Sequence, residues 1–226
     1  MRASLSMHAM SQCKTYSVTQ VDYPNGRLMC TSSSVMFSYF CHKQKDIYQT
    51  KSCFCVCTEE TMKKIFEMAS ILHIDTLKHC KCKGNCMLSV HDILCASTQN
   101  EMNHSLFGMK EIQGSFNEET LKLFKNEISA STVAIAEHEN SLLESGEDIL
   151  IYSFEEALNS FLMEGVSAIL TIEDCQHTVS IHKCNGGSCT LFDPLSGSIT
   201  KFPSTAAITA HIIEKQFREQ FTCYFL

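Results

Sequence analysis

The amino-acid sequence predicts an α+β protein in which helices pack on a mostly antiparallel sheet. Two observations indicate the helices: a Ser/Thr run precedes the apolar stretch 35–40, and apolar residues recur at helical spacing over 59–72. The sheet is indicated by alternating polar and apolar residues over 177–183, which an Asn-Gly-Gly turn at 185–187 separates from a second short strand.

Composition and charge exclude several classes of protein. The chain has 226 residues and a formal net charge of -7, without a basic cluster, so a protein held on nucleic acid by phosphate contacts is not expected. No apolar run reaches the roughly 18 residues that a membrane span needs, and we therefore expect no membrane partner. Because no segment resembles a linker, residues 1–226 are predicted to form a single domain, whose oligomeric state the sequence does not indicate.

The predicted helices follow from their caps and their apolar spacing. Ser, Thr and Asn at a helix start accept hydrogen bonds from backbone N–H groups that have no partner within the helix. An extended segment over 14–22 and a turn at 23–26 precede the first helix, and residues 73–116, which show little periodicity, are predicted to be mostly irregular. The expected helices begin at Cys30, span 59–72 after the cap Thr58, lie near 90–96, and span 118–128 after the cap Asn117.

The last third of the chain is predicted to hold most of the sheet. Short apolar or alternating segments bounded by turn residues are typical of strands. Ser153 and Glu156 form the sequence pattern of a capping box, which indicates a helix over 154–164. The expected strands span 166–172, 177–183, 188–193 and 223–226, with a helix or a further covering segment over 206–217.

The cysteines indicate a compartment and suggest a metal site as an alternative. Fourteen cysteines without an N-terminal secretory signal are typical of a protein in a reducing intracellular compartment, the cytoplasm or the nucleus. Six of them, with His73 and His79 nearby, fall between Cys53 and Cys86, but their C-x-C spacing differs from the pairs that structural zinc sites favour. We predict no metal and leave the Cys-rich segment 53–95 unassigned, with zinc or buried small side chains as its alternatives.

Three residues that are far apart in the chain form the pattern that a papain-like cysteine protease needs. Cys30 lies at a predicted helix start, where the helix dipole and free N–H groups favour the thiolate over the thiol. His177 begins a strand, and Asp193 ends the next one. A histidine that reaches the thiol and is oriented by a carboxylate is the base that such a nucleophile requires.

The turn of the predicted hairpin decides whether His177 and Asp193 meet. A two-residue turn would direct the two side chains to opposite faces of the sheet. A three-residue turn over 185–187 would place residue 179 opposite Asp193 and make His177 and Asp193 diagonal neighbours on one face. Loops of three residues prefer glycine in a left-handed conformation, and Gly187 supplies it. The triad hypothesis therefore requires this register or a bulge.

Two parts of the sequence, about 18–40 and 166–200, resemble one protease family. The segments that carry the resemblance are Gln20–Asp22, Asn25–Phe37 and Leu191–Ser196. They are similar to the deubiquitinase at the N-terminus of the herpesvirus large tegument protein and to related tegument-like deubiquitinases. The resemblance implies a papain-like fold, in which an N-terminal helix that carries the cysteine packs on a mostly antiparallel sheet that carries the histidine and aspartate.

The resemblance also implies roles for individual residues. Cys30 matches the nucleophile, Asp193 belongs to the triad, and Gln20 is the best match to the side chain of the oxyanion hole. The family pattern has a histidine after Asp-Pro, where this chain has Leu195. Because Leu195 would lie opposite His177 in the three-residue register, we expect the imidazole to have moved to the facing strand while it stays over the cysteine.

Other polar residues have weaker claims to the site. Gln12 and Asn25 are alternatives to Gln20 for the oxyanion hole. His182 is expected to point to the other face of its strand from His177 and to be solvated, because five residues separate the two.

The function implied by the resemblance is that of a cysteine-type deubiquitinase. It would hydrolyse the (iso)peptide bond after the C-terminal glycine of ubiquitin, with ubiquitin or polyubiquitin chains as partners and no cofactor. The triad by itself indicates only acyl transfer by a thiol, so a papain-like protease or acyltransferase with another substrate is an alternative. A non-catalytic module that binds ubiquitin or a host protein is a second alternative, which Leu195 in place of histidine favours.

Overall fold

The computed structural model has the mixed architecture of helices and antiparallel sheet that the α+β prediction requires. The described residues are 11–43, 53–80, 87–96, 110–115, 135–137, 152–172, 177–215 and 220–225. Within these residues, no helix is both long enough and apolar enough to cross a bilayer. The predicted helix over 118–128 lies outside them.

In the described part of the chain, nine strands form one sheet. They are β1 (Gln12–Thr15), β2 (Lys110–Ser115), β3 (Ile135–Glu137), β4 (Tyr152–Ser153), β5 (Ser167–Ile172), β6 (His177–Lys183), β7 (Cys189–Asp193), β8 (Ser198–Phe202) and β9 (Gln220–Phe225). Their order is β1-β8-β7-β6-β5-β9-β2-β3, with all neighbours antiparallel, and β4 pairs with β2 in parallel. β6 is therefore an inner strand, with β7 on one side and β5 on the other.

Helices cover both faces of this sheet. They are α1 (Cys30–Lys43), α2 (Cys53–Val56), α3 (Glu59–His79), α4 (Val90–Ala96), α5 (Phe154–Phe161) and α6 (Thr205–Lys215). α1 packs on β6 and against α3, and its apolar cluster includes Ile169 of β5. A second cluster joins α5 and α6 to Leu170 of the same strand. Because consecutive strand residues point to opposite faces, the sheet lies between two helical layers.

The element predictions are mostly confirmed, to within three residues, where the structure describes them. The strand over 177–183 is confirmed at both ends, and α1 begins at Cys30 as predicted. α3 begins after Thr58, which caps it, but the helix continues to His79 rather than ending at 72. The extension is anchored by buried polar residues such as His73, which a pattern of apolar residues does not include.

The strands β2, β3, β4 and β8 are not predicted by the sequence patterns. β2 falls within the stretch 73–116, which was expected to be irregular, and its sequence KEIQGS lacks apolar alternation. Pairing with β9 on one side and β3 on the other makes it a strand, so tertiary contacts override the local pattern. β8 follows a turn at 194–197 and receives β1 at the edge of the sheet.

Candidate active site

Cys30 is the first residue of α1. The N–H of Ser33 donates to the carbonyl oxygen of Met29 at 2.8 Å, which is the first hydrogen bond of the helical type. The backbone N–H groups of residues 30–32 therefore have no acceptor within the helix. The Ser/Thr residues that follow the cysteine are buried, and Cys30 itself is 3% exposed. Thr31 and Ser34 contact β6, whereas Ser32 contacts His73 of α3. A thiol in this position lies at the positive end of the helix dipole, which favours the thiolate.

β6 and β7 form a hairpin with the three-residue turn that the triad hypothesis requires. The N–H of Cys184 donates to the carbonyl oxygen of Ser188 at 2.8 Å, and Gly187 has a φ of 79°. The strand pairing has the same register, which makes His177 at the start of β6 a neighbour of Asp193 at the end of β7. The predicted register is therefore confirmed.

His177 joins Asp193 to the thiol. Its Nε2 lies 3.1 Å from Oδ1 of Asp193, and the ring also hydrogen-bonds to the sulfur of Cys30. Because Nε2 is directed at the carboxylate, Nδ1 is the ring nitrogen left for the sulfur. Asp193 Oδ1 in turn accepts hydrogen bonds from the backbone N–H groups of Leu195 at 3.0 Å and Ser196 at 3.5 Å. The carboxylate is thus held by the turn that follows it.

Gln20 reaches the same sulfur from the loop that precedes α1. Its Nε2 donates to Cys30 Sγ at 3.1 Å, and the side chain is fully buried. Its backbone N–H donates to the carbonyl oxygen of Pro194 at 3.4 Å, which ties this loop to the turn after Asp193. When the sulfur attacks a carbonyl carbon, the negative charge develops on the carbonyl oxygen. A side-chain amide that already donates to the sulfur, as that of Gln20 does, is close enough to donate to this oxygen.

The loop over 20–29 folds back on itself because Gly26 lies against the backbone of Gln20. A Cβ at residue 26 would lie 2.1 Å from the carbonyl oxygen of Gln20 and 2.6 Å from Cα of Val21. No side chain fits in this space. Gly26 therefore permits the close approach that returns Gln20 to Cys30.

Substituting Gly26→Ala is expected to displace Gln20 from Cys30. The added methyl forces the loop apart, at a cost to folding of about 1–3 kcal/mol, and slows alkylation of Cys30 by iodoacetamide. Urea unfolding and the alkylation rate measure the two effects. Asn25→Gly is the matched control, because Asn25 has a φ of 61° that glycine adopts freely, and it should leave the alkylation rate unchanged. An unchanged alkylation rate in Gly26→Ala would contradict this role.

Burial and hydrogen bonding oppose each other at the three ionisable groups of the site. Burial raises the pKa of the Cys30 thiol. Hydrogen bonds from His177 and Gln20, together with the charge of His177, lower it by more than burial raises it, so this pKa lies below its ordinary value. Burial lowers the pKa of His177, but hydrogen bonds with Asp193 and Cys30 raise it to about 9. Burial raises the pKa of Asp193, but the hydrogen bond from His177, the charge of His177 and the hydrogen bonds from Ser196 and Leu195 together lower it below its ordinary value. The site therefore favours a thiolate beside an imidazolium at a lower pH than an ordinary cysteine would.

The pH dependence of hydrolysis and of alkylation should differ at high pH. Both rates are expected to rise as the Cys30 thiol ionises, at a pH below the ordinary value for cysteine. Above pH about 9, His177 loses its proton, so kcat/KM for an amide substrate should fall because the leaving amine is no longer protonated. Alkylation by iodoacetamide needs no proton donor and should not fall. A parallel decline of both rates above pH 9 would contradict the role of the imidazolium.

Two sequence-based placements are wrong. Leu195 does not lie opposite His177, because β7 ends at Asp193 and the chain then turns; its side chain is half exposed. His182 points to the other face of β6, as expected, but it is buried rather than solvated. Its Nδ1 lies 2.9 Å from Oγ of Ser167. The reason is that helices cover both faces of this inner strand, so the face away from His177 is not open to water.

The alternatives for the oxyanion hole lie elsewhere. Gln12 is exposed in the edge strand β1, where it pairs with Lys201. Asn25 adopts a left-handed conformation and begins the turn of 3-10 helix over Gly26–Leu28. Of these amide side chains, Gln20 is the one that hydrogen-bonds to Cys30 in the described residues.

The Cys-rich segment supports the loop that leads to the site. Within the described ranges, no three His, Cys, Asp or Glu side chains lie close enough to hold a metal; Cys82 and Cys86 fall outside those ranges. Cys57 is buried, which raises the pKa of its thiol to about 11. The hydroxyl of Tyr16 donates to the Cys57 carbonyl oxygen at 2.9 Å, so this segment anchors the chain four residues before Gln20.

Thr178 also contacts the thiol, although no sequence motif singles it out. Its backbone N–H hydrogen-bonds to the sulfur of Cys30 and helps to lower the pKa of that thiol. The one sequence feature that points to Thr178 is that it directly follows His177 on an inner strand. Which backbone N–H faces the sulfur depends on how α1 lies on β6, and a sequence does not specify this.

The arrangement can perform acyl transfer by a thiol. The sulfur accepts hydrogen bonds from the Gln20 amide and the Thr178 backbone and lies beside an imidazole that a carboxylate orients. No protein-family model matches the sequence, and no curated protein is similar enough to it to count as a relative. A functional assignment therefore depends on the geometry of the site and on the resemblance of the two sequence segments.

Proposed function

We propose that this chain is a papain-like cysteine protease that acts as a deubiquitinase. The observation that carries the proposal is that Cys30 contacts both His177 and Gln20, while Asp193 holds the histidine. The helix that begins with the cysteine packs on the antiparallel strand that begins with the histidine, which is the arrangement expected of the papain-like fold.

The proposed reaction has two steps. The Cys30 thiolate attacks the carbonyl carbon of the scissile bond, while Nε2 of Gln20 and the backbone N–H of Cys30 donate to the oxyanion. Loss of one such donor typically costs about 3–4 kcal/mol of barrier. His177 then gives its proton to the leaving amine, and a thioester remains. In the second step His177 takes a proton from water, which attacks the thioester and expels the Cys30 thiolate; the carboxylic acid ionises to the carboxylate, and the thiolate–imidazolium pair is restored. Asp193 keeps the imidazole oriented throughout.

The burial of the thiol supports a substrate whose scissile bond follows glycine. Cys30 is 3% exposed, and Gln20 and His177 flank its sulfur. A carbonyl carbon that carries little bulk approaches a buried sulfur most easily, and glycine has no side chain. Ubiquitin itself comes from the resemblance to the tegument deubiquitinases, and its C-terminal glycine meets this requirement.

The proposal is tested by hydrolysis of two fluorogenic amides, one of intact ubiquitin and one of a short peptide with the same C-terminal residues. The wild-type chain, freshly reduced, should cleave the ubiquitin amide far faster than the peptide, and Cys30→Ala should cleave neither. Equal cleavage of both would indicate a thiol hydrolase that does not recognise ubiquitin. If neither is cleaved, but Cys30→Ala still binds ubiquitin, the chain is a binding module and the proposal is wrong.

The variant Leu195→His tests the departure from the family pattern. The half-exposed side chain of Leu195 lies in the turn after Asp193, and its backbone N–H already donates to that carboxylate. If His177 is the base, Leu195→His alone should not speed hydrolysis. Leu195→His should also fail to restore hydrolysis to a variant that lacks His177.

A further inference from the structure

Thr178 joins β6 to the first turn of α1 at three points. Its hydroxyl oxygen lies 3.1 Å from that of Thr31, and its carbonyl oxygen accepts a hydrogen bond from Ser34 Oγ at 3.0 Å. Its backbone N–H hydrogen-bonds to the sulfur of Cys30. The side chains of Thr31, Ser34 and Thr178 are at most 1% exposed, so these bonds form away from water, where each is stronger than at a surface.

Each hydroxyl of the threonine pair belongs to the residue next to a member of the reacting pair. Thr31 follows Cys30, and Thr178 follows His177. The bond between the threonines therefore fixes the two backbones one residue away from the sulfur and the imidazole. We infer that Thr178, through its hydroxyl bond to Thr31, is a positioning residue that sets the distance between Cys30 and His177. The inference rests on the proposed function, because this distance matters only if the two residues react as a pair.

A second pair of hydroxyl groups between α1 and β6 provides a matched control. Oγ of Ser38 lies 2.6 Å from Oγ of Ser180, and both side chains are buried. This pair also joins α1 to β6, but Ser38 lies two helical turns, about 10 Å, further along α1 than Thr31. Removing a hydroxyl from either pair should weaken the packing of the helix on the strand. Only the threonine pair adjoins the thiol and the base.

The test is the pH profile of Cys30 alkylation by iodoacetamide in the full chain, followed by mass spectrometry of the peptide that contains Cys30. Thr178→Val keeps the shape of the side chain and the backbone N–H but removes the hydroxyl. We expect the midpoint of the profile to rise by about one pH unit, so that alkylation below the midpoint slows about tenfold. Thr31→Val should have the same effect, and it leaves in place the second neighbour of the Thr178 hydroxyl, Oγ1 of Thr171 at 3.4 Å. The double variant should add little to either shift, because each single variant already breaks the bond between the two threonines.

Two further variants separate positioning from stability. Thr178→Ser retains the hydroxyl and should keep the wild-type midpoint. Ser180→Ala should lower the urea midpoint of unfolding yet leave the alkylation profile unchanged. The double variant Thr31→Val with Thr178→Val removes both hydroxyls of the pair, so neither is left buried without the other; it can replace a single variant that fails to fold.

The inference is overturned if Thr178→Val has the wild-type profile, or if Ser180→Ala shifts the profile as much as Thr178→Val does. A wild-type chain that alkylates Cys30 with the midpoint of an ordinary cysteine would overturn the proposed function as well. A low wild-type midpoint that Thr178→Val leaves in place would overturn the positioning role alone.

Discussion

Replacing His177 with alanine is expected to slow hydrolysis of a ubiquitin amide by about 100- to 10,000-fold, the usual contribution of a positioned acid–base group. The variant loses the proton that the leaving amine needs. It also loses the hydrogen bond and the positive charge that lower the pKa of the Cys30 thiol. The midpoint of Cys30 alkylation should therefore rise toward that of an ordinary cysteine. Steady-state kinetics and the alkylation profile measure the two losses separately.

The matched control for His177→Ala is His182→Ala, which removes an imidazole from the same strand. His182 is buried and bonded to Ser167, so its loss should lower the free energy of unfolding. It should leave the alkylation midpoint of Cys30 unchanged. The residues that shift the pKa of this thiol are His177, Gln20 and Thr178, and His182 is not among them. If both variants raised the alkylation midpoint equally, the result would indicate that His177→Ala acts by disturbing the fold and not by removing the imidazole from the thiol.

Replacing Gln20 with alanine should lower kcat by about 100- to 1,000-fold, as expected when one donor to an oxyanion is removed. KM should change little, because the amide is buried and its donor matters most once the oxyanion has formed. The alkylation midpoint of Cys30 should rise less than in His177→Ala, since Gln20 contributes a hydrogen bond but no charge to the thiolate. Kinetics on the ubiquitin amide test this split.

Gln12→Ala is the control for Gln20→Ala. Gln12 carries the same side chain and was the alternative for the same role, but it is exposed in the edge strand β1. We expect Gln12→Ala to have wild-type kcat and KM. A loss of kcat in Gln12→Ala, with wild-type kinetics in Gln20→Ala, would move the oxyanion hole to the edge of the sheet.

The contact of His177 with Asp193 could be predicted because it depends on local chemistry. A glycine at the left-handed position of a three-residue loop sets the register of the hairpin, and the register determines which side chains are neighbours. The structure has this turn, with Gly187 at a φ of 79°. The start of α1 at Cys30 was predictable for a similar reason, since a Ser/Thr run before an apolar stretch marks a helix start.

The rest of the site depends on contacts between distant parts of the chain. The burial of His182 results from helices on both faces of β6, and the contact of Thr178 with the sulfur results from the way α1 lies on that strand. The turn over 194–197 holds both Asp193 and the backbone of Gln20, but in the sequence it is only Asp-Pro followed by Leu-Ser-Gly. A local sequence pattern carries no information about contacts between residues that are distant in the chain. For the same reason the sequence does not predict β8, which follows this turn.

The central claim is that Cys30 is the nucleophile of a ubiquitin hydrolase. It is tested most directly with ubiquitin that carries a thiol-reactive group in place of its C-terminal carboxylate, incubated with freshly reduced chain and mapped by mass spectrometry. We predict one adduct of one ubiquitin per chain, on Cys30, that is absent in Cys30→Ala and strongly slowed in His177→Ala. An adduct on a different cysteine, for example the exposed Cys13 or Cys55, or no adduct while free iodoacetamide still labels Cys30, would contradict it.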